Sequence, residues 1–475
     1  MTDLSLLGAA ELHEGYRTGD LSPVEATRAA LQAIERHNAE VNAFVLVDEE
    51  GALASAAESE RRWREGAPLG FADGIPTSIK DILITRGWPT LRGSTLIDAG
   101  GDWSEDSPCT ARLREAGCVL LGKTTTPEFA WKGVTDSIRQ GVTTNPWGAE
   151  LTSGGSSGGS ATAVGLGMGT WSMGTDGGGS VRIPASFTGT TALKPTYGLV
   201  PHYPGSPFGT LSHVGPMTRS VRDNAALMDL VTGFDPRDWS AMPTPGRSFL
   251  DGLDDGVEGV RIAFSADLGY VTNDPEVEQA VRAAVQVLAD AGALVEEVDP
   301  GFTDPVEAFD VLWNSGAAKV IDSYPEGSID RIDPGLRRCV EAGRVLSASD
   351  YLDATAVRMD LGLRMGRLHT QHDLLVTPTM PIAAFPGGQP SPDGWASDRW
   401  TSWTPYTYPF NLTQQPALSV PCGLTSDRRP IGLQIVGARH ADALVLRAGR
   451  AYELRTDWAT RVPTLIHTID ERPAR

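Results

Sequence analysis

The stretches TSGGSSGGS at residues 152–160 and TDGGGS at residues 175–180 carry the strongest signal in this sequence. A Gly/Ser run is typical of a flexible tether, but neither stretch separates two segments that look like domains. Glycine is also favoured where the backbone must approach another group closely or adopt a positive φ. The successive amides of residues 177–179 can form a nest for an anion directly before Ser180. The second stretch therefore predicts a serine nucleophile beside donors for a developing oxyanion, as acyl transfer requires.

A serine nucleophile needs a base, and the eight histidines offer no clear partner. His202 and His213 lie nearest to Ser180 in sequence, but neither belongs to a recognisable motif. A lysine can act as the base when burial keeps it uncharged, because a free lysine titrates near pH ~10.4. Lys80 is the best candidate, since the segment GIPTSIKD at residues 74–81 places it at the end of an apolar, strand-like run.

Composition and charge exclude several classes of protein. The chain has 475 residues, with 60 acidic against 40 basic side chains and a formal net charge of -20. This balance argues against a nucleic-acid surface, which needs clustered Lys and Arg. No apolar run is long enough to cross a membrane, and the N-terminus lacks a signal-peptide pattern. Four cysteines without CxxC spacing indicate reduced thiols in a cytoplasmic protein, with no zinc site. They are Cys109, Cys118, Cys339 and Cys422.

Local patterns predict helices that alternate with buried strands. The segment SPVE at residues 22–25 has the capping-box pattern that begins a helix. Another helix is predicted from Asp274 to Gly292, between strand-like runs at residues 260–265 and 293–298. Further strand candidates are residues 118–123, 373–379, 417–424 and 430–437. This alternation predicts an α/β protein with a mostly parallel or mixed sheet covered by helices.

The segment GCVLLGKT at residues 117–124 matches the phosphate-loop pattern GxxxxGK[ST]. A phosphate loop follows a strand and opens a helix, so that its amides surround the phosphates. Here residues 110–117 are helical in pattern, and the apolar residues 118–121 suit a buried strand. We therefore expect a strand at this segment, and a nucleotide-binding protein is the competing hypothesis from another class.

Several segments together resemble the amidase signature family of serine hydrolases. Residues 74–81 are similar to the catalytic-lysine segment of the family, and residues 154–164 and 174–198 resemble its signature. The similarity continues through VLLGKTTTPEFAWKG, GPMTRSVRDNA, LLVTPTMP, SVPCGL and RPIGLQIVG, so it covers most of the chain. The resemblance implies one domain with a mixed central β-sheet covered by helices on both faces. We expect this domain to span residues 1–475, with an N-terminal helical segment at about 1–65, a signature core at about 66–220 and a C-terminal α/β portion at about 221–475.

Carried over position by position, the resemblance implies a Ser–Ser–Lys triad. Ser180 resembles the nucleophile, Lys80 the base, and Ser156 the bridging serine that the family holds in a cis peptide bond. Ser156 can accept and donate at once, so it can relay a proton between the other two groups. The resemblance implies an oxyanion hole made of the backbone amides of Gly177, Gly178, Gly179 and Ser180.

Further positions are expected to support or shape this site. We expect Asp176 and Arg182 to form an ion pair that fixes the turn beside the nucleophile. The family more often has a larger residue at the position of Gly177, and a backbone donor tolerates that difference. Trp131 is expected to form an aromatic wall for the substrate, with core packing as the alternative. The tryptophan-rich loop at residues 385–405 is either a lid over an apolar pocket or a loop anchored by its tryptophans.

The function implied by the resemblance is amide hydrolysis through a Ser180 acyl-enzyme, with no metal or organic cofactor. Trp131, Trp171 and Trp313 favour hydrophobic or aryl amides, and the same machinery can cleave esters and carbamates. The competing interpretation within the family is the glutamine amidase subunit of a tRNA-dependent amidotransferase. We expect a small-molecule amide as the substrate, no nucleic-acid or membrane partner, and a cytoplasmic location, and a homodimer is compatible with the sequence.

Overall fold

A mixed sheet of 11 strands forms the centre of the computed structural model, which describes residues 3–466. In chain order the strands of the described residues are β1 Phe44–Val47, β2 Pro76–Lys80, β3 Val119–Thr124, β4 Asp136–Ser137, β5 Gly141–Val142, β6 Thr144–Asn145, β7 Gly148–Thr152, β8 Trp171–Asp176, β9 Thr191–Lys194, β10 His213–Thr218, β11 Arg261–Phe264, β12 Leu294–Glu297, β13 Leu374–Pro378, β14 Ala417–Leu424 and β15 Pro430–Gly437. Two short pairs, β4 with β5 and β6 with β7, lie outside the main sheet.

Helices connect most of these strands. In chain order they are α1 Ala9–Thr18, α2 Pro23–Val41, α3 Glu49–Arg64, α4 Pro108–Glu115, α5 Gly158–Gly165, α6 Arg182–Thr188, α7 Val221–Val231, α8 Pro275–Asp290, α9 Val306–Ile321, α10 Pro334–Arg344, α11 Ala348–Gln371, α12 Tyr408–Leu412 and α13 Asp442–Glu453. Between residues 3 and 466, no helix combines the length and the apolar character that crossing a bilayer requires.

The strand order is β1-β3-β2-β8-β10-β9-β14-β15-β13-β11-β12. Strand β2 runs parallel to both of its neighbours, β3 and β8, and β11 runs parallel to β12 and β13. The pairs from β8 through β10, β9, β14 and β15 to β13 are antiparallel. The prediction of a mixed sheet is therefore confirmed, with parallel strands on both sides of an antiparallel centre.

Helix starts and strands that the sequence predicts are present. Ser22 Oγ accepts from the Glu25 amide at 3.2 Å, and Glu25 Oε2 accepts from the Ser22 amide at 2.9 Å, which closes the capping box of α2. The predicted helix after Asp274 is α8, whose apolar stripe is buried and includes Val277, Val281 and Leu288. The predicted strands on either side of it are β11 and β12. Local sequence patterns were sufficient for these elements because the caps, the apolar stripe and the apolar runs are properties of neighbouring residues.

Both faces of the sheet are covered. Along β13, Leu374 and Val376 pack into one hydrophobic cluster, while Leu375 between them packs into another. The same alternation occurs on β11, where Ile262 belongs to the first cluster and Ala263 to the second. Successive side chains of a strand point to opposite faces, so the two clusters lie on opposite sides of the sheet. The predicted α/β fold with helices on both faces is confirmed.

The segment that matches a phosphate loop is a strand. Helix α4 ends before Gly117, which has a φ of +80°, and β3 follows from Val119 to Thr124. Lys123 is fully buried, and its Nζ donates to the Leu83 carbonyl at 2.7 Å. A lysine on a buried strand does not meet a phosphate held at the start of a helix. The structure therefore agrees with the predicted strand and disagrees with the nucleotide-binding hypothesis.

Candidate active site

Lys80 is the last residue of β2, at the edge of the sheet where β2 and its parallel neighbour β8 both end. Side chains that follow neighbouring parallel strands meet at one edge of the sheet. Thr175, near the end of β8, therefore lies beside Lys80, with its Oγ1 at 2.9 Å from Lys80 Nζ. All five residues of β2 are buried, so the lysine reaches this edge from inside the protein.

The amine of Lys80 is surrounded by hydroxyl groups. Its Nζ lies 2.7 Å from Ser156 Oγ and 2.9 Å from Ser157 Oγ, in addition to the contact with Thr175. The residue is fully buried, and burial lowers the pKa of Lys80 well below its ordinary value, with the charge of Asp176 acting in the opposite direction. Burial therefore favours the uncharged amine, which is the form that a general base requires.

The direction of the hydrogen bond between Lys80 and Ser157 follows from the other partner of the Ser157 hydroxyl. Ser157 Oγ donates its proton to the Thr175 carbonyl at 3.1 Å, so it must accept a hydrogen from Lys80. A neutral amine has two N–H donors and one lone pair. The remaining N–H and the lone pair of Lys80 then face the hydroxyls of Ser156 and Thr175.

The first Gly/Ser run is a packed turn. Residues 152–160 are all buried, and α5 begins at Gly158. The peptide bond between Gly155 and Ser156 is cis. A Cβ atom on Gly155 would lie 2.5 Å from the carbonyl carbon of Val134, so only glycine fits there. The glycines allow the backbone to approach its neighbours closely, and the run is not a tether.

Ser180 follows the second run and opens into the same cavity as Ser156. The two turns are joined through the backbone, because the Ser157 amide donates to the Ser180 carbonyl at 3.0 Å. Ser180 is 5% exposed, which leaves its hydroxyl reachable from the cavity while most of the residue is packed. Among the described residues no direct hydrogen bond joins the side chains of Ser156 and Ser180, although both line the cavity.

The backbone amides of residues 177–180 differ in whether they have a hydrogen-bond partner inside the protein. The Gly179 amide donates to Asp176 Oδ1 at 2.8 Å, so it is already satisfied inside the protein. The amides of Gly177, Gly178 and Ser180 have no such partner within residues 3–466, and Gly177 lines the cavity. The expectation that Gly179 donates to an oxyanion is therefore corrected, because a carboxylate already occupies its N–H. For the amides of Gly177, Gly178 and Ser180, donation to an oxyanion stays a prediction.

Asp176 and Arg182 form a buried ion pair that encloses this turn. Arg182 Nη2 lies 3.0 Å from Asp176 Oδ1, and Arg182 Nε lies 3.0 Å from Asp176 Oδ2. Asp176 also accepts from the Val181 amide at 3.2 Å. Burial alone would raise the pKa of Asp176, but the charge and hydrogen bonds of Arg182 outweigh burial and hold the pKa well below its usual range. The charged pair therefore holds both ends of the turn that presents Ser180.

The cavity at this site has a volume of about 120 Å³, and aromatic and aliphatic side chains line it together with hydroxyl groups and Arg92. Phe208 and Trp313 line it and stack on each other, with ring centroids 4.0 Å apart. The loop at residues 202–208 forms one side, and Phe129 lies on the lining as well. Throughout residues 3–466, His, Cys, Asp and Glu side chains do not gather in a group of three that would hold a metal ion.

Trp131 does not line the cavity, which corrects the expectation of a wall residue. Its side chain is 7% exposed and packs against α10, where a Cβ atom on Gly335 would lie 2.3 Å from its ring. Its neighbours Phe129 and Ala130 contribute to the lining instead. The backbone of Trp131 still matters, because its carbonyl accepts from Trp313 Nε1 at 3.1 Å. The alternative of core packing describes Trp131 correctly.

The tryptophan-rich loop is anchored and is not placed over the cavity. Trp403 is fully buried, and its Nε1 donates to the Pro390 carbonyl at 3.0 Å. Trp400 packs edge-on against Phe309 with centroids 5.7 Å apart. Of the residues described as lining the cavity, none comes from residues 385–405. The two buried tryptophans hold the loop, and residues 202–208 line the cavity instead.

Sequence reasoning missed several residues of the site. Ser157 and Thr175 contact Lys80, but each lies next to a residue that the motifs already marked, and its hydroxyl had no separate signal. Arg92 and the loop at residues 202–208 line the cavity without belonging to any motif. The Pro- and Gly-rich sequence YPGSPFG at 203–209 predicts only a loop.

Comparison with known proteins agrees with this fold and site. The family model described as Amidase matches residues 25–446. The chain is 36% identical over 493 residues to a subunit of the glutamyl-tRNA(Gln) amidotransferase from Chloroflexus aggregans, covering 98% of this chain and 99% of that protein. It is 35% identical to an acylamidase from Rhodococcus erythropolis, covering 98% of each. The chain therefore belongs to the amidase signature family.

Solved structures give the same answer at the level of the fold. A bacterial aryl acylamidase of the amidase signature family superposes with a TM-score of 0.90 at 30% identity, covering 98% of this chain and 99% of that chain. A 6-aminohexanoate cyclic dimer hydrolase superposes with a TM-score of 0.89 at 29% identity, covering 98% and 100%. With the family established, the chain is an amide-hydrolysing enzyme, as the sequence predicts.

Proposed function

We propose that this enzyme hydrolyses carboxylic amides through an acyl-enzyme on Ser180, with protons relayed from Ser180 through Ser156 to Lys80. The observation that carries the proposal is the contact of the buried Lys80 amine with Ser156 Oγ at 2.7 Å, in a cavity that also exposes Ser180. An uncharged lysine beside one hydroxyl, with a second hydroxyl in the same cavity, is what a two-step proton relay needs.

The acylation step follows from these positions. Ser156 takes the proton of Ser180 as its own proton passes to Lys80, and Ser180 Oγ attacks the amide carbon. The electron pair of the carbonyl moves onto its oxygen, where the amides of Gly177 and Gly178 donate to it. The proton then returns through Ser156 to the leaving nitrogen, the C–N bond breaks, and the acyl group stays on Ser180.

Deacylation uses the same groups in the same order. Water takes the place of the leaving amine and loses its proton through Ser156 to Lys80 as its oxygen attacks the acyl carbon. The bond between that carbon and Ser180 Oγ breaks, and Ser180 regains a proton from the relay. The products are a carboxylic acid and an amine, and no other reagent is consumed.

The lining of the cavity supports hydrophobic or aryl amides as substrates. Trp313, Phe208 and Phe129 present aromatic surface, and Ile82 and Val320 add aliphatic surface. Such a surface binds an aryl or alkyl group more strongly than a small polar amide. Esters and carbamates pass through a similar oxyanion and are expected as secondary substrates.

A second candidate is the glutamine amidase subunit of a tRNA-dependent amidotransferase. Identity of 36% to the amidotransferase subunit from Chloroflexus aggregans, over 98% of this chain, favours it as much as the acylamidase relative favours the first. Such a subunit works with partner chains, whereas a free-standing amidase is active alone or as a homodimer. Activity of the purified chain on its own therefore discriminates between the two functions.

The test is a turnover screen of the purified chain on aryl anilides, aliphatic amides, carbamates, esters and glutamine. We expect release of aryl amines by the isolated chain and little release of ammonia from glutamine. Glutamine turnover that appears only with added partner subunits would favour the second candidate. Gel filtration of the active fraction reports whether it is a homodimer.

The nucleophile is tested by covalent labelling with a fluorophosphonate. Ser180→Ala should lose both labelling and turnover, while Ser206→Ala, which alters another serine of the same cavity, should keep them. Peptide mapping of the labelled wild-type enzyme identifies the modified residue. A label on any residue other than Ser180 would refute the assignment.

A further inference from the structure

The cavity that contains Ser156 and Ser180 is lined by one permanently charged side chain, that of Arg92. No Asp or Glu of the described residues is part of the lining. His202 also lines the cavity, but burial lowers its pKa to about 4, so its imidazole is neutral at pH 7. The cavity therefore presents a single positive charge next to its aromatic surface.

The guanidinium of Arg92 has no internal partner. Between residues 3 and 466, it forms no ion pair and no hydrogen bond, although a guanidinium carries five N–H donors. Arginines nearby are used differently: Arg139 donates to the Ser94 carbonyl at 3.2 Å and Arg331 to the Thr95 carbonyl at 3.1 Å. Other arginines without a partner among the described residues, such as Arg28 and Arg36, are exposed, whereas Arg92 is half-buried and lines the cavity.

The backbone holds Arg92 in an uncommon conformation. Its φ is +53°, in the left-handed region that non-glycine residues seldom occupy. The conformation is held from two sides: the Ser94 amide donates to the Leu91 carbonyl at 2.9 Å, and the Phe129 amide donates to the Arg92 carbonyl at 2.8 Å. These two hydrogen bonds therefore fix the backbone of the turn from which Arg92 reaches the cavity.

A cluster of buried polar side chains contacts the residues directly before Arg92. It includes Lys123, the lysine of the segment that matches the phosphate-loop pattern. Lys123 Nζ donates to Thr90 Oγ1 at 2.7 Å and lies 3.5 Å from Asp81 Oδ1. Asp81 Oδ1 accepts from the Leu91 amide at 3.2 Å, directly before Arg92. Asp81 follows Lys80 in the chain, so the same strand end that supplies the base also anchors the turn that carries the charge.

We infer that Arg92 binds a carboxylate on the substrate, so that the preferred substrates are amides with an apolar or aryl body and one negative charge. The inference rests on the proposed function of this site. A guanidinium pairs with a carboxylate through two parallel hydrogen bonds, which gives orientation as well as affinity. Free glutamine fits less well, because its ammonium group would find no carboxylate in the lining.

Matched pairs of substrates test the inference, each pair differing only by a methyl ketone in place of the carboxylate. The first pair has the charge on the acyl side: the mono-anilide of glutaric acid and its methyl ketone analogue. The second has the charge on the amine side: para-acetamidobenzoate and para-acetamidoacetophenone. We expect the wild-type enzyme to prefer the carboxylate in at least one pair by about 10-fold or more in kcat/KM.

Variants at position 92 assign that preference to one side chain. Arg92→Gln should lower the ratio of the two kcat/KM values by about 10- to 100-fold, as expected for loss of a charge-assisted pair. Arg92→Lys should keep part of the preference, and Arg92→Glu should reverse it toward the neutral analogue. Arg428→Gln, an exposed arginine on the turn between β14 and β15, removes the same charge elsewhere and should leave the ratio unchanged. Thermal unfolding shows whether each variant is folded.

The outcomes separate this inference from the proposed function. If the anilides are cleaved in a Ser180-dependent way but neither pair shows a preference for the carboxylate, the inference is wrong and the proposed function stands. An unchanged ratio in Arg92→Gln also overturns it. If the wild-type enzyme cleaves none of the four amides, both fail together.

Discussion

Lys80 combines burial with hydroxyl neighbours. Desolvation disfavours the charged amine, and the hydroxyls of Ser156, Ser157 and Thr175 provide hydrogen bonds without a countercharge at contact distance. Asp176 acts at longer range to favour the charged form and is already paired with Arg182. Burial is the larger of the two effects, so the balance favours the neutral amine, which can receive a proton from Ser156.

The pH dependence of activity follows from this balance. Because burial lowers the pKa of Lys80, its amine becomes neutral at a lower pH than a free lysine, and the neutral fraction decreases as the solution becomes more acidic. We expect kcat/KM to be level through neutral and alkaline pH and to fall on the acid side. A rate that still rises about tenfold per unit between about pH 9 and 10 would indicate an ordinary lysine and contradict the assignment.

Ser157 is expected to position Lys80 without reacting itself. Its hydroxyl donates to the Thr175 carbonyl and accepts from Lys80, which orients the lone pair toward the relay. Ser157→Ala should lower kcat, by up to about 100-fold, because even a small displacement of a reacting group slows the reaction. Ser153→Ala is the matched control: it removes a buried hydroxyl of the same run that bonds to Thr143 and does not contact Lys80. Equal losses in both variants would mean that Ser157 has no specific role.

At the scale of elements, the site depends on the turn between β8 and α6 and on the helix that covers it. A Cβ atom on Gly177 would lie 2.9 Å from Trp313 on α9, and one on Gly178 would lie 2.6 Å from Trp400. The aromatic side chains therefore occupy the space that side chains at these positions would need. Trp313 can occupy this part of the cavity because residue 177 is a glycine and not a larger residue.

This arrangement predicts that Gly177 and Trp313 are coupled. Gly177→Leu should overpack the turn, at a cost of about 1–3 kcal/mol in stability, and should slow fluorophosphonate labelling of Ser180. Trp313→Ala alone should also destabilise, because the ring is buried, but the double variant should lose less stability than the sum of the two single losses, since the clash is gone. Gly205→Ala, on the loop of the same cavity where a Cβ meets no atom within 4 Å, is the control and should behave like wild type. Additive effects of the two changes would contradict the coupling.

At the scale of the whole molecule, Arg182 connects distant parts of the chain behind the site. Besides Asp176, it donates to Gln434 Oε1 on β15 at 2.8 Å and to Asn411 Oδ1 on α12 at 2.6 Å. It also donates to the Thr407 carbonyl at 2.9 Å. One fully buried guanidinium thus joins the signature core to the C-terminal strands, and each of its partners is satisfied only in the complete fold.

Arg182→Met should therefore destabilise the whole protein. Removing one partner of a buried pair leaves the carboxylate of Asp176 without compensation, at a cost of about 3–5 kcal/mol. Arg282→Met is the control, because its pairs with Glu278 and Glu297 lie on the surface and should contribute less than about 1 kcal/mol. Urea unfolding monitored by tryptophan fluorescence measures both. Similar midpoints for the two variants would contradict the role given to Arg182.

Much of the fold could be predicted from the sequence because local patterns report local structure. The capping box before α2 and the apolar stripe of α8 are properties of adjacent residues, and β3 begins with an apolar run and is buried along its whole length. The motifs also marked Lys80 and Ser156, which lie in contact across 76 residues of chain. Trp131 shows the limit: an aromatic residue next to a site motif has the same sequence signal whether it lines a cavity or packs against a helix.

By itself, the sequence determined the class of the fold, several of its helices and strands, the family of the chain, and the chemical groups at the motifs, because these depend on residue types at fixed spacings. Only the tertiary structure decided which groups remain available. The Gly179 amide is occupied by Asp176, Phe129 rather than Trp131 faces the cavity, and the charge of Arg92 stays unpaired. The reason is that burial and hydrogen-bond partners come from segments far apart in the chain, and no local pattern records which of them will meet.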